Sequence, residues 1–315
     1  MKKTALIFGI NGQDGAYLAK KLIEKKYLVY GISRKKNYIN LIKLFILKKI
    51  RLFSYSNFSD EKIKRLLKKN FKEIYFLAGQ SSVKDSFLKR TLTYESQIEP
   101  LKNILDYIVH QKGIKTKFLY AGSSEIFGNV NNKKKISEKS QKKPVSPYGM
   151  SKLIGYEIIK SYRLIYKIPV CTAILFNHES PLRKKNFVFK KIVDYAKKIM
   201  IDRKLKLKIG NIKIKRDWGW GPEYMSGCQK ILNSKKIDDY IIATGKTVSL
   251  KEIIDHSFKK LNLNWKNFTI IEKKIFREFE IKENYSNIAK LKKNIKWYPK
   301  NNYVNVIKNL LDKNF

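Results

Sequence analysis

Short apolar runs alternate with amphipathic stretches through the first half of the chain. Residues 4–8 are apolar, a turn with three glycines follows, and Tyr17, Leu18, Leu22 and Ile23 then recur at helical spacing. A buried parallel strand is almost wholly apolar, whereas a helix that covers a sheet is apolar on one face. The pattern therefore predicts strand, glycine turn and helix, which is how a doubly wound α/β sheet begins.

The same alternation continues further along the chain. Residues 28–32, 51–55, 73–78 and 117–121 have strand patterns, and residues 100–109 have the periodicity of a helix. Strands that alternate with helices build a parallel sheet, and the carboxyl ends of its strands face the ligand crevice. We therefore predict a Rossmann-type doubly wound parallel sheet with a smaller C-terminal α/β region.

The turn after the first strand has the spacing Gly-x-x-Gly-x-x-Gly over residues 9–15. Glycines permit this tight turn and let a pyrophosphate reach the N-terminus of the following helix. The second strand ends in Ser33 and Arg34. No carboxylate stands there to hold the ribose of NAD, and an arginine accommodates the 2′-phosphate of NADP. The sequence therefore predicts a dinucleotide site with NADP as the cofactor.

Tyr148 and Lys152, in the segment SPYGMSK, stand four residues apart and so lie on one face of a predicted helix. A nearby ammonium group favours the ionised form of a phenol, so we expect the pKa of Tyr148 to fall toward neutrality. Ser123 and Glu125 follow the strand at 117–121 and are expected in the same crevice. Alternatively, the tyrosine–lysine pair is solvated surface and the Ser-Ser-Glu run is a helix cap.

The formal net charge of +43 on 315 residues raises an alternative hypothesis about the binding partner, although it defines no motif. Such a charge is typical of proteins that bind nucleic acids or anionic membranes. The lysines are scattered over nearly every segment, however, and accompany abundant Ile, Asn, Tyr and Phe, as A/T-rich codons would supply. We predict neither a nucleic-acid nor a membrane partner, although the positive field would attract an anionic substrate.

The cysteines and histidines indicate the cellular location and whether a metal site is expected. Cys171 and Cys228 form no Cys-x-x-Cys motif, and the apolar run at the N-terminus is too short for a signal peptide, so the sequence predicts a cytoplasmic protein. His110, His178 and His256 have no metal-ligand spacing, and we predict no metal site.

The glycine turn, GSSEIFG and SPYGMSK together resemble the extended short-chain dehydrogenase/reductase superfamily. Within it, GINGQDGAYLAKKL, LFNHESPLR and GNIKIKRDWGW are similar to segments of the GDP-mannose 4,6-dehydratase family. The resemblance covers essentially the whole chain, and FNHESP and RDWG discriminate better than Tyr-x-x-x-Lys. It implies an NADP-binding Rossmann domain at 1–172 and a mainly substrate-binding region at 173–315, with elements interleaved back into the first domain.

The resemblance also implies a reaction. Such enzymes are hydro-lyases that oxidise C4 of the hexose, eliminate water across C5 and C6, and return the hydride to C6. GDP-mannose would give GDP-4-keto-6-deoxymannose. Tyr148 with Lys152 would serve as the base at the C4 hydroxyl, Ser123 would hydrogen-bond the C4 oxygen, and Glu125 would take the C5 proton.

The resemblance assigns further residues to the cofactor and the substrate. The expected cofactor-binding residues are Gly9, Asn11, Gly12, Gln13, Asp14, Gly15, Arg34, Asn57, Phe58, Leu77, Ala78, Tyr148, Lys152 and His178. The expected substrate-binding residues are Ser81, Asn177, Glu179, Lys191, Asn211, Arg216, Arg277 and Glu280.

Departures from the family pattern keep other hypotheses open. Ser123 replaces the usual threonine, Asn57 and Phe58 replace an Asp-Leu pair, and the segment after Arg34 is shortened. GDP-heptose is an alternative substrate, and an epimerase or 4-reductase is an alternative activity. A basic nucleic-acid-binding protein on an inactive dehydrogenase scaffold is a hypothesis of another class. A homo-oligomer is expected, either a dimer or a tetramer.

Overall fold

The computed structural model describes residues 2–34, 36–54, 61–111, 116–129, 135–276 and 279–312. Within these ranges the strands are β1 (Thr4–Phe8), β2 (Leu28–Ser33), β3 (Ile50–Ser54), β4 (Glu73–Phe76), β5 (Lys117–Ser123), β6 (Val170–Leu175), β7 (Asn177–Glu179), β8 (Leu207–Ile209), β9 (Lys215–Trp220), β10 (Tyr240–Ile242), β11 (Thr247–Ser249) and β12 (Thr269–Ile271). The helices are α1 (Gln13–Glu24), α2 (Ile39–Lys43), α3 (Glu61–Leu67), α4 (Val83–Leu88), α5 (Arg90–Glu95), α6 (Ile98–His110), α7 (Pro147–Ile165), α8 (Val188–Ile201), α9 (Gly221–Leu232), α10 (Leu250–Lys259), α11 (Ala289–Ile295) and α12 (Tyr303–Asp312).

The main sheet has seven strands in the order β10-β6-β5-β4-β1-β2-β3, and every pair in it is parallel. Strand β1 lies between β2 and β4, so the chain reverses its direction of winding there. In open α/β sheets ligands bind at this switch point, outside the carboxyl ends of the strands. The predicted Rossmann-type doubly wound sheet is confirmed.

Strand β1 shows why the sheet is buried on both faces. Ala5 and Ile7 belong to the core on the side of α1 and α9, whereas Leu6 and Phe8 belong to the core on the opposite side. Successive side chains of a strand point to opposite faces, so an unbroken apolar run requires cover on both.

The predicted strands recur with small shifts at their ends. The strand predicted over 73–78 ends as β4 at Phe76. The Leu77 N–H still donates to the Phe8 carbonyl at 3.0 Å, but Leu77 and Ala78 lie in the wall of a cleft at the carboxyl edge. The helix predicted over 100–109 is α6, which begins two residues earlier.

The second half of the chain forms a smaller region with its own core and also adds elements to the main sheet. Strands β11, β9 and β7 form a small sheet and β12 pairs with β8, while α8, α10 and α12 enclose a core of their own. Strand β10 returns to the main sheet beside β6, and α9 packs along α1. Strand β6 runs across the 172/173 division, which stays a prediction.

Candidate active site

The glycine turn joins β1 to α1 in a conformation that a larger residue would not adopt. Gly9 has a φ of +83°, and a Cβ there would lie 2.8 Å from the Leu77 backbone. The Gly12 N–H donates to the Gly9 carbonyl at 2.9 Å. A Cβ on Gly15 would lie 2.3 Å from that same carbonyl oxygen. The turn therefore brings the start of α1 against the end of β1 as closely as backbone permits.

The residues of this turn fit a dinucleotide. The N-cap of α1 is Gly12, which offers no side chain to the first N–H groups of the helix, and these have no intrahelical partner. A helix N-terminus in that state binds a pyrophosphate. The Oδ1 atom of Asn11 is buried beside the turn and has no hydrogen-bond partner among the described residues. Both observations leave polar groups for a bound cofactor to satisfy.

Several predicted cofactor residues hydrogen-bond to one another. The Asp14 carboxylate lies 2.9 Å from Nε2 of His178, whose Nδ1 lies 2.7 Å from the Phe176 carbonyl. The Ser180 hydroxyl donates to Oε1 of Gln13 at 2.7 Å. Burial opposes ionisation of both members of the Asp14–His178 pair, but their attraction and hydrogen bond hold the pKa of Asp14 well below its usual range and raise that of His178. The network ties β7 to the start of α1.

Ser123, Glu125 and Tyr148 meet at the carboxyl edge of β5. Ser123 ends the strand and its hydroxyl accepts from the Glu125 N–H at 3.3 Å, which starts a short 3₁₀ turn. Ser146 caps α7 by accepting from the Gly149 N–H at 3.0 Å. A Cβ on Gly149 would lie 2.8 Å from the Glu125 carbonyl oxygen, so glycine lets the start of α7 touch this turn.

The pKa of Tyr148 contradicts the expectation that Lys152 lowers it. Burial raises the pKa of Tyr148 to about 12; a hydrogen bond to Ser123 lowers it in part, and the Glu125 charge raises it. Lys152 donates to the Ala121 carbonyl at 2.8 Å, and its Nζ lies 5.9 Å from the centre of the Tyr148 ring. Burial lowers the pKa of Lys152 to about 7. Burial disfavours the charged form of an ionisable group, so the pKa of each shifts in the direction that favours its neutral form.

One cleft of about 840 Å³ brings together the four predicted catalytic residues and much of the predicted binding set. The predicted residues in its wall are Asp14, Leu77, Ala78, Ser81, Ser123, Glu125, Tyr148, Lys152, Asn177, His178, Glu179, Lys191, Asn211, Arg216 and Glu280. The glycines of the turn, Asn11, Gln13 and Arg34 are not part of that wall. Arg34 is exposed at the carboxyl end of β2, where the sequence places it for a 2′-phosphate.

Glu179 and Arg183 form the most buried charged pair of the cleft. Glu179 is 1% exposed, and neither carboxylate oxygen has a hydrogen-bond partner within the part of the chain that the structure describes. Nε of Arg183 lies 3.7 Å away, and its guanidinium stacks 3.6 Å from the centre of the Phe187 ring. Burial raises the pKa of Glu179 to about 7 despite the attraction of Arg183.

Arg183 is a cleft residue to which sequence reasoning gave no role. It closes the motif LFNHESPLR, four residues after Glu179, but that segment contains no regular helix in which such spacing would predict contact. Its charge reaches both Glu179 and Tyr148, and lowers the pKa of each. The available signal was an arginine in the same motif as two acceptor side chains, Asn177 and Glu179.

The outer part of the cleft holds the other predicted substrate residues. Arg216 is 5% exposed, its Nη1 donates to the Lys215 carbonyl at 2.9 Å, and its Nη2 lies 3.7 Å from Glu280. Nζ of Lys191 donates to the Lys208 carbonyl at 2.6 Å, and Oδ1 of Asn211 accepts from the Lys213 N–H.

Three of the predicted binding residues cannot be placed in the structure. Asn57, Phe58 and Arg277 fall outside the described residues. Among the residues that are described, no group of three His, Cys, Asp or Glu side chains could hold a metal ion. In the same ranges every helix is too short or too polar to span a membrane.

A parallel Rossmann sheet with a glycine turn at one strand end and a Tyr-x-x-x-Lys helix in the facing cleft defines the class of extended short-chain dehydrogenases/reductases. A sequence model of the family described as GDP-mannose 4,6 dehydratase matches residues 6–310. The chain belongs to this family.

Curated relatives share this family over most of their length. The chain is 34% identical to "GDP-mannose 4,6 dehydratase 1" of Arabidopsis thaliana, covering 99% of this chain and 89% of the relative. It is 32% identical to "GDP-mannose 4,6 dehydratase" of Homo sapiens, covering 95% and 88%.

Solved structures share the fold at lower identity. A UDP-glucuronic acid 4-epimerase from Bacillus cereus, in complex with UDP-glucuronic acid and NAD, superposes with a TM-score of 0.85 at 20% identity, covering 98% of each chain. A dTDP-glucose 4,6-dehydratase from Bacillus anthracis, in complex with NAD, has a TM-score of 0.84 at 16% identity, covering 98% of this chain and 96% of that one. The similarity extends through both halves of the chain.

Proposed function

We propose that this protein is an NADP-dependent GDP-mannose 4,6-dehydratase that forms GDP-4-keto-6-deoxymannose. The observation that carries the proposal is the meeting of two different proton acceptors in one cleft. Tyr148 hydrogen-bonds to Ser123, and Glu125 stands two residues further along the same strand end. An oxidation at C4 needs only the first acceptor, whereas an elimination across C5 and C6 needs a second. Membership of the dehydratase family supports the same conclusion.

Tyr148 removes the proton of the C4 hydroxyl in this proposal. Ser123 hydrogen-bonds both the phenol and the sugar oxygen, and so holds them in line. With its pKa at about 12 the phenol is neutral at pH 7. A bound oxidised nicotinamide would supply the hydride acceptor for C4 and the hydride for C6, and its positive charge would favour the phenolate form of Tyr148. Lys152, anchored on the Ala121 carbonyl, holds the cofactor ribose.

In the second step Glu125 takes the C5 proton, and the C6 hydroxyl leaves with a proton as water; hydride return to C6 is then matched by a proton that adds to C5. The 4-keto group makes that proton more acidic, so a carboxylate is a sufficient base. Glu125 lies near enough to Tyr148 for its charge to raise the phenol's pKa. The two groups therefore act on neighbouring carbons of one bound sugar. Each contributes about 10²–10⁴-fold to the rate if it behaves as a typical acid–base group.

The substrate's diphosphate occupies the basic outer part of the cleft in this proposal. Asn177 and Arg216 project from neighbouring strands β7 and β9, and Lys191 projects from α8. The arginine fork gives two parallel hydrogen bonds to a phosphate, and the lysine supplies a point charge. Glu179 accepts from sugar hydroxyls, because its buried oxygens have no other donors among the described residues.

NADP is proposed rather than NAD because of Arg34. It is exposed at the end of β2, and the same strand end offers no carboxylate to a ribose diol. We expect Arg34→Ala to raise the KM for NADP at least tenfold while leaving that for NAD within threefold. Equal effects on the two cofactors would contradict this assignment.

The direct test is to incubate the purified protein with NADP and GDP-mannose and to analyse the nucleotide sugars by mass spectrometry. A dehydratase gives a product lighter by one water with no net change in the cofactor. In deuterated water one deuterium enters at C5 and the hydride moves to C6 within the same molecule.

Other outcomes distinguish the alternatives. Stoichiometric consumption of NADPH would identify a reductase, and a product of unchanged mass would identify an epimerase. Turnover of GDP-heptose in place of GDP-mannose would keep the reaction and change the substrate. If neither nucleotide sugar gives a dehydrated product, the proposal fails.

The remaining expectations stay predictions. Light scattering of the purified protein will show whether it forms the expected dimer or tetramer. A cytoplasmic location follows from the sequence analysis alone, and expression of the two segments divided at 172/173 tests the domain boundary.

A further inference from the structure

A wide, open cavity lies on the opposite edge of the main sheet from the catalytic cleft. It measures about 1310 Å³. Tyr27 precedes β2 and Tyr240 begins β10, so the cavity faces the amino ends of the strands. Its walls are the C-terminal ends of α1, α9 and α11 and the residues that follow α1 and α9. The proposed dehydratase reaction uses none of its residues.

The charge of this cavity is one-sided. Seven lysines line it: Lys2, Lys3, Lys25, Lys26, Lys230, Lys235 and Lys236. The ion pairs among the described residues involve other lysines. We name these seven residues the amino-edge lysines.

Helix dipoles do not account for so many cations. Lysines near a helix C-terminus are favourable because the end carries roughly half a negative charge. Three helix ends therefore supply roughly −1.5 charges, against seven ammonium groups. Even with the buried carboxylate of Glu73 counted in full, a surplus of several positive charges faces the cavity.

The floor of the cavity is a buried hydrogen-bond network rather than loose surface. Glu73 is fully buried and accepts from the hydroxyls of Tyr27 and Tyr75 at 2.7 and 2.6 Å, and from Nδ2 of Asn233 at 2.9 Å. Gln229, which is 4% exposed, hydrogen-bonds to Tyr27. Its Oε1 accepts from Nζ of Lys25 at 2.5 Å.

This network fixes the position of one ammonium group. Nζ of Lys25 uses one of its three N–H donors on Gln229 and keeps the others for the cavity. Burial lowers the pKa of Lys25, and the charges of Lys21 and Lys230 lower it further. An anion between these groups would relieve that repulsion, because it would meet several fixed positive charges at once.

We propose that this cavity is a second anion site, which binds a chain of phosphate groups: inorganic oligophosphate or the phosphate chain of a nucleotide. Several connected negative charges match the amino-edge lysines better than one phosphate does. Tyr27 and Tyr240 are buried, so the wall presents no exposed aromatic face on which a base would stack. The site therefore recognises the phosphate chain and not the base.

The site has a structural route to the catalytic cleft. Helix α1 begins at the glycine turn and ends beside Lys25, and α9, which packs along it, begins against Gln13 and ends beside Asn233. A helix of 12 residues spans about 18 Å. An anion held between the ends of α1 and α9 thus lies at the far ends of two helices, of which α1 begins at the glycine turn and α9 begins against Gln13.

Calorimetry of the full-length protein tests the proposal. The protein is loaded with NADP, and inorganic tripolyphosphate or ATP is titrated into the wild type and into Lys191→Ala/Arg216→Ala, which lacks two of the proposed diphosphate ligands of the catalytic cleft. We expect this variant to keep one saturable site per chain for each ligand, with affinities within threefold of one another. A preference of tenfold or more for ATP would show that the base is recognised and would contradict a phosphate-chain site. Binding that the cleft variant abolishes, or that never saturates, would overturn the proposal.

Matched variants separate a site from general charge. The variant Lys25→Gln/Lys230→Gln/Lys235→Gln should bind tripolyphosphate at least tenfold more weakly. The control Lys259→Gln/Lys260→Gln/Lys266→Gln removes the same charge from exposed positions at and beyond the end of α10, and should change binding by less than twofold. Equal losses in both variants would contradict a site.

A measurement on the unmodified protein guards against a variant that fails to fold. Lysines are acetylated briefly with and without tripolyphosphate and quantified by peptide mass spectrometry. Lys25, Lys230 and Lys235 should be protected at least threefold, and Lys259 and Lys266 should react equally in both samples. Uniform protection, or none at the amino-edge lysines, would also overturn the proposal.

Discussion

The two edges of the main sheet carry charge in opposite ways. At the carboxyl edge Asp14, Lys152 and Glu179 are largely buried, and a specific neighbour or the low-dielectric surroundings set the pKa of each. The amino-edge lysines, by contrast, are exposed and all positively charged, and they lack carboxylate partners among the described residues. Buried charges are sensitive to single contacts, whereas exposed charges act together through a screened field.

This difference shows which lysines are expected to have a specific role in the site. The chain has a net charge of +43, and counting lysines does not separate Lys152 from the rest. Burial distinguishes Lys152, because it lowers the pKa of this lysine to about 7. The Lys152 ammonium group also donates to the Ala121 carbonyl. Substitutions at the carboxyl edge should therefore have large, local effects, and substitutions at the amino edge small effects that depend on salt.

Tyr148→Phe should have the largest effect. It removes the hydroxyl that hydrogen-bonds to Ser123 while keeping the ring, so we expect the kcat of dehydration to fall by at least about 10³-fold. The measurement is the rate of 4-keto-6-deoxy product formation. Tyr120→Phe is the control, because it removes a nearby buried hydroxyl that has no hydrogen-bond partner among the described residues. Comparable losses in both variants would show that packing and not proton transfer is responsible.

Glu125→Gln should have the next largest effect and should separate the two chemical steps. The amide cannot accept the C5 proton, so product formation should fall by about 10²–10³-fold while the KM for the nucleotide sugar changes by less than about threefold. Incorporation of solvent deuterium at C5 should fall in parallel. Glu157→Gln, on the exposed face of α7, is the control. Retained deuterium incorporation at C5 would assign that base to another residue.

Much of the carboxyl edge could be predicted from the sequence because its signals are local. A glycine spacing between an apolar run and an amphipathic run fixes both the turn and its place at the switch point. Tyr148 and Lys152 share a helix face, and the SPYG segment contains its cap at Ser146. These features depend on residues a few positions apart, and the structure places Tyr148 and Lys152 in one cleft with Asp14 of the glycine turn.

The rest depends on burial, which one sequence does not give. The direction of the Tyr148 pKa shift was predicted wrongly because burial raises that pKa, while Lys152 bonds to the Ala121 carbonyl of β5. The Asp14–His178 pair joins residues 164 positions apart, and the Glu179–Arg183 pair lies in a segment without regular helix. The amino-edge lysines come from three separate parts of the chain, so scattered positions in sequence became one surface.

Glu179→Gln tests whether burial sets the behaviour of the carboxyl edge. The folded pKa of Glu179, about 7, is raised above the ordinary 4.5, so between these pH values the folded state holds a proton that the unfolded state has lost. Stability therefore falls as pH rises through this window, by up to about 3 kcal/mol, and is flat above it. In Glu179→Gln this part of the slope should vanish.

The measurement is denaturant unfolding of both proteins at several values between about pH 4.5 and 8. Asp194→Asn is the control, because that carboxylate lies outside the cleft in an ion pair with Lys190. A difference between wild type and Glu179→Gln that does not change with pH would mean that Glu179 titrates normally and is not dominated by burial.

The smallest effect is expected at the amino edge, from Lys25→Gln/Lys230→Gln/Lys235→Gln without added phosphate. Removing three like charges relieves repulsion, so the Tm should rise by about 1–3 °C at low ionic strength. The rise should disappear in roughly 0.5 M salt, where the Debye length is only a few ångströms. Thermal unfolding at the two salt concentrations measures it, with the variant at Lys259, Lys260 and Lys266 as control. A large Tm decrease that salt does not change would show that directional contacts, such as that of Lys25 with Gln229, outweigh the shared field, and would remove the contrast between the two edges.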